Sequence, residues 1–138
     1  MLHAVTAPAE YLSKPYLRAR YDDPEFLVQA IYHLYAGWFD GNPAHLKPAR
    51  SADLALELAR LAGGANKLVE RAAVLAEEGN TRLAAHLAEF AGEAAPDDKS
   101  VQATRALVLR KCIDREGSLM GKAFLAVYER QAEQRAKV

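Results

Sequence analysis

Four histidines, one cysteine and three acidic pairs are the side chains in this sequence that could bind a metal, attack an electrophile or move a proton. His3, His33, His45 and His86 are scattered over an N-terminal arm, two helical runs and a turn. None stands in a His-x-His-x-Asp-His, His-Glu-x-x-His or Glu-x-x-His spacing, so no ligand cluster and no cofactor is predicted. His33 and His86 sit beside apolar stripes and read as boundary or satisfied core histidines. Cys112 falls within a helical pattern and reads as a small buried hydrophobe rather than a thiolate nucleophile. Asp22-Asp23, Glu77-Glu78 and Asp97-Asp98 lie where a helix starts, where one ends on its solvent side and where a turn is capped, which are ordinary places for carboxylates. Gly63-Gly64 and Gly117-x-x-x-Gly121 lack the Lys-Ser/Thr ending and the preceding strand of a phosphate loop, and read as helix caps. The sequence predicts no catalytic residue in this chain.

The elements that carry these residues read as helices throughout. At 138 residues the chain is one domain by size, large enough to bury a core without metal or disulfides. Lys plus Arg and Asp plus Glu both number 18, so no excess charge favours nucleic acid or an anionic membrane. A single cysteine, no basic leader with an apolar run behind it and no apolar stretch of membrane length predict a cytoplasmic protein. Pro8 and Pro15 interrupt residues 1–22, which read as an irregular arm. Asp23-Pro24-Glu25 then starts a helix to about Ala36, with Phe26, Leu27, Ala30, Ile31, Leu34 and Tyr35 as its buried stripe.

Further helices follow. Ser51 caps one with Leu54, Leu58, Leu61 and Ala62 inward, ended by Gly63-Gly64. The next buries Ala65, Leu68, Val69, Ala72 and Leu75 or Ala76. Thr81 opens a fourth with Leu83, Leu87, Phe90, Ala91 and Ala94 inward. The fifth, about Lys99 to Asp114, has a broader apolar face including Val101, Leu109, Cys112 and Ile113. The last puts Met120, Ala123, Phe124, Val127 and Tyr128 on one face, and the run Glu129 to Arg135 reads as solvated. The expected fold is all-α: about six helices in antiparallel hairpins, residues 1–22 an extended arm and 23–138 the helical domain. Gly79, Ala84, Ala91 and Pro96 resemble the spacing of a tetratricopeptide hairpin, in which small residues let two helices approach closely.

The corner Ala36-Gly37-Trp38-Phe39-Asp40-Gly41-Asn42-Pro43-Ala44-His45-Leu46 holds the only Trp, two glycines and an Asn-Pro step. It predicts a rigid, packed turn, with Asp40 and Asn42 bonding back to local amides. Within it, "LYAGWFDGNPAHLKP" resembles the Tyr-x-Gly-Trp/Tyr-Tyr/Phe-Asp-Gly/Ala-Asn-Pro-Ala-x-Leu-x-Pro signature of alkyl sulfatases of the metallo-β-lactamase superfamily, where it opens the helical alkyl-sulfatase dimerisation domain. "LARLAGGANKLVERAAVLAEEGNTRLAAHLAEFAGEAAPDD" is similar to the same domain's Ala-Gly-Gly-Ala and Gly-(Asp/Asn)-x-x-x-Ala-x-x-Leu pattern. The likeness covers about Asp22 to Asp98 and extends to about Tyr128.

Those enzymes carry two zinc ions in an upstream domain with a Thr-His-x-His-x-Asp-His motif, which is missing here, as is their sterol-carrier-like tail. The resemblance therefore implies a non-catalytic homodimerisation module, either free-standing or the C-terminal part of a zinc-dependent hydrolase that acts with a metallo-β-lactamase-type domain. For Trp38, Phe39, Asp40 and Asn42 two readings stand: they lock the turn, or they project toward such a domain and shape a pocket entrance. Val28 and Tyr32 lie off the main stripe of the first helix and, with Tyr35, are the expected dimer contacts.

Overall fold

The computed structural model describes residues 7–138; His3 lies outside them. Seven helices and no strand occur among the described residues: α1 Ala9–Leu12, α2 Pro24–Ala36, α3 Ser51–Ala62, α4 Ala65–Glu77, α5 Thr81–Ala94, α6 Lys99–Arg115 and α7 Leu119–Lys137. Six are the helices expected from the sequence. The seventh, α1, is a single turn in the arm, where a 3-10 turn at Pro15–Leu17 follows it.

Caps explain most boundaries. The Asp23 carboxylate accepts from the Glu25 N–H, Asp98 accepts from the Ser100 and Val101 N–H groups, and the Ser118 hydroxyl accepts from Gly121 N–H. At α3 the expectation is corrected: Ser51 is already the first helical residue, and Arg50 precedes it without a side-chain cap. Thr81 opens α5 as expected, and Asn80 before it is the cap, its side chain accepting from the Leu83 N–H.

Helices α3 to α7 form the bundle, with α6 packed against α4, α5 and α7. Its apolar centre is made mostly of small residues. Ala72, Ala76, Ala84 and Ala88 surround Leu75, Val108 and Cys112 in one cluster, and Ala59 and Ala91 join Leu68, Val69 and Val101 in the other. Alanine at a crossing lets two backbones come close, so the leucines expected inside are pushed to the rim. In α3 it is Ala55 and Ala59 that are buried, while Leu54 and Leu61 are exposed. In α5, Ala84, Ala88 and Ala91 are inside and Leu83 is outside.

The face of α7 is also corrected. Gly121, Glu129 and Ala132 turn inward, whereas Phe124, Val127 and Tyr128 are exposed. Glu129, expected in a solvated run, is only 4% exposed and pairs with Arg110, which also reaches Glu133 at 3.6 Å. The broad face expected of α6 is real, but it includes polar groups. Arg105 is buried and holds Glu89 through two bonds, Nε to Oε1 at 2.9 Å and Nη2 to Oε2 at 2.8 Å. Gln102 accepts from Arg105 and donates to the carbonyl of Gly92 at 3.0 Å. A Cβ at Gly92 would lie 2.6 Å from Arg105 Cδ, so the network needs glycine there.

Helix α2 stands apart. It packs along none of the other helices, and none of its residues is buried. Only its N-terminal end is tied to the bundle. Glu25 pairs with both terminal nitrogens of Arg82 on α5, at 2.8 and 2.5 Å. Just before it, the carbonyls of Arg20 and Tyr21 accept from the N–H groups of Leu119 and Met120 at 2.7 and 2.9 Å. The arm thus supplies backbone acceptors to donors that the first turn of α7 has no internal partner for.

Candidate functional site

The stripe predicted on α2 exists, but it faces away from the bundle. Leu27, Ile31, Leu34 and Tyr35 are exposed, Leu34 and Tyr35 by 77% and 84%. Trp38, just past the turn at Gly37, is exposed as well. Val28 and Tyr32, on the flank of the stripe beside Tyr35, are half-buried. The periodicity was legible, yet amphipathicity alone does not say what covers the apolar side.

The corner after α2 is built from local bonds. Gly37 and Gly41 take φ of 80° and 89°, where a Cβ would be strained. Asp40 Oδ1 accepts from Asn42 N–H at 3.0 Å, and Asn42 Oδ1 accepts from Ala44 N–H at 3.1 Å, capping the 3-10 turn Pro43–His45. With its oxygen so engaged, Asn42 presents its amide nitrogen to His45 Nε2 at 3.3 Å. His45 Nδ1 therefore carries the proton and donates to Asp40 Oδ2 at 2.7 Å. The Asn42 amide, and after it the His45 ring, hold the Asp40 carboxyl below the usual carboxylate range. From α2, the Tyr32 hydroxyl donates to the carbonyl of Phe39 at 2.9 Å.

This arrangement orients an imidazole as a histidine–carboxylate pair does in general-base sites. Its other nitrogen, which a base would turn toward substrate, is occupied by Asn42. The corner is thus a rigid, exposed platform. Trp38 and Phe39 meet edge to face with centroids 5.7 Å apart, and Trp38 is 66% exposed. The expectation of a turn locked by Asp40 and Asn42 is met, but the expected ring packing against helices is not, because the rings pack on each other and face solvent.

His45 lies in the corner as the sequence places it, and its bonds to Asp40 and Asn42 are what the sequence analysis does not anticipate. The spacing Asp-x-Asn-x-x-His within one turn is the signal that marks it. His33 and His86 are exposed rather than boundary residues. Cys112 is buried as expected, its thiol pushed up by burial and directed at the Thr81 carbonyl at 3.5 Å. Among the described residues, no group of three or more His, Cys, Asp or Glu side chains is placed to hold a metal ion. No helix among them is long and apolar enough to cross a membrane.

Comparison with known proteins places this architecture. The chain is 35% identical over 97 residues to a linear primary-alkylsulfatase of Pseudomonas sp. (strain ATCC 19151), matching 70% of this chain and 18% of that protein. It is 30% identical over 110 residues to an (R)-specific secondary-alkylsulfatase of Pseudomonas sp., matching 76% of this chain and 17% of the relative. Its fold superposes with a TM-score of 0.81 on the stereoselective inverting sec-alkylsulfatase Pisa1 from Pseudomonas sp., at 21% identity, over 98% of this chain and 21% of that one. A double mutant of that enzyme gives 0.82 at 25% identity. The chain therefore spans less than a quarter of the length of each of these relatives. The family described as alkyl sulfatase dimerisation matches residues 1–135, and this chain belongs to it.

Proposed function

We propose that this chain is a non-catalytic assembly module that brings two copies together, with residues 23–138 as the module and 1–22 as an arm. The observation that carries this reading is the outward apolar stripe of α2, Leu27, Ile31, Leu34 and Tyr35, which none of the described residues covers. An exposed row of large apolar side chains on a helix held off its own bundle is what a partner surface requires. Tyr35 leads the sequence-based contacts by its exposure, and the half-buried Val28 and Tyr32 flank it. Light scattering behind a sizing column tests the reading: the wild type should run at twice the chain mass, and Ile31→Asp should run as a monomer with unchanged helical circular dichroism. A wild-type monomer at every concentration tried would reject it.

A second reading is supported by the alkylsulfatase relatives, of which this chain spans less than a quarter. The platform of Trp38, Phe39, Asp40 and Asn42 would contact a metallo-β-lactamase-type zinc hydrolase domain, and the pair together would cleave sulfate esters. Titrating such a domain, expressed from one of the relatives, into this chain should shift Trp38 emission. Unchanged emission at saturating concentration would remove the platform from that contact.

A further inference from the structure

The same chain exposes a second apolar surface, on the outer side of α7. Leu119 and Val127 lie opposite the buried line of Gly121, Glu129 and Ala132, and Phe124, on the flank beside them, is 62% exposed. Tyr128 sits at its edge. A cleft of about 370 Å³ adjoins this surface, lined by Ala85, Leu109, Leu125 and Tyr128 together with the carboxylates of Glu89 and Glu93. The flank carries few charges until Arg130, so the surface resembles the α2 stripe in chemistry.

We infer that the outer face of α7 is the docking surface for α2 of the second copy, so that each copy of the dimer lends its α2 to the other. The inference rests on the assembly reading above and deepens it by naming the receiving surface. Two physical arguments favour it over a contact of α2 with α2. The first is area. Side chains of roughly 150–250 Å² at the observed exposures give about 600 Å² for the α2 stripe and somewhat less for α7, whereas one side of a stable interface buries about 800 Å². Either face alone falls short, and the two together exceed it. A two-fold axis that sets α2 on the partner's α7 repeats the contact, covering both faces of both copies.

The second argument is tethering. The start of α2 is pinned beside the start of α7 by the Arg20 and Tyr21 carbonyls and by the Arg82–Glu25 pair. From that root α2 packs along none of its own bundle, including its own α7. The second copy's α2 has no such constraint relative to this α7.

Cross-linking between two variants tests the inference. Ile31→Cys and Val127→Cys chains are prepared separately, mixed and allowed to exchange, then treated with a short bis-maleimide; the native Cys112 is buried. The expected result is a covalent dimer in the mixture and none in either variant alone. Covalent dimers from Ile31→Cys alone would overturn the inference in favour of an α2 to α2 contact. A wild-type dimer with no cross-link in any sample would reject the α7 surface while leaving assembly standing, and a wild-type monomer would reject both. As a second readout, Phe124→Glu lies on an exposed position and should keep its helicity while weakening association at least tenfold, as Ile31→Glu does. Unchanged association of Phe124→Glu would count against the surface.

Discussion

Two residues carry local consequences that can be measured one at a time. Gly92 lies against Arg105, and a methyl group there would displace the guanidinium that holds Glu89 and Gln102. Gly92→Ala should lower stability by about 1–3 kcal/mol, read from urea unfolding, because the cost is overpacking beside a buried polar network. The Asp40 carboxyl makes the opposite kind of prediction, since it lies outside the core. Its folded pKa is lowered, so its contribution to corner order is complete above the ordinary Asp value near 3.9 and is lost as pH falls through the lower folded value. The Asp40 transition in the fluorescence of Trp38 should therefore fall below about pH 3.9. Asp40→Asn should change that fluorescence at neutral pH and leave the thermal midpoint in place. The turn was readable at this scale because its signal is short-range: glycine, Asn-Pro and Asx chemistry act within a few residues. The Arg105 network was not readable, because its partners lie 16 positions apart and meet only after α5 and α6 have packed.

Among the elements, helix existence and ends followed from caps and breakers, whereas which side faces inward did not. Periodicity marks a face, and large apolar residues draw the eye to it. In α3, α5 and α7 the buried line instead follows alanine and glycine, since close approach rather than side-chain size decides those crossings. In α4, where Leu68, Val69 and Leu75 share a side with Ala72 and Ala76, both criteria agree, and the expected face is the observed one. The start of α7 offers an element-scale test. Ser118 is fully buried and caps Gly121, while Glu116 accepts from both its N–H and its hydroxyl. Ser118→Ala should cost about 1 kcal/mol. The loss should appear as faster amide exchange in the first turn of α7 before any change in α4 or α5.

For the whole molecule, the mass-action signature of a dimer built from apolar faces is specific. The melting temperature should rise with protein concentration, and the dimer mass should hold between low and high salt, since no charged pair joins the faces. A dimer that dissociates in salt would place the contact on the charged rims instead. The all-helical fold was legible from periodicity, and the family from the motif at the corner. The separation of α2 from its own bundle was not, because a sequence records that a stripe is apolar and is silent about whose surface completes it.

The bonds from the Arg20 and Tyr21 carbonyls to the first turn of α7 also order events in time. The segment at the base of α2 is seated by one translated about 100 residues later. At roughly 5–20 residues per second, the intervening stretch of about 100 residues takes on the order of 5–20 s to emerge from the ribosome. Until then the Arg82–Glu25 pair is the contact that holds the base of α2, and the two backbone bonds that complete its seat are still unmade. Recognition between copies through that stripe is thereby expected to favour chains from which α7 has already emerged.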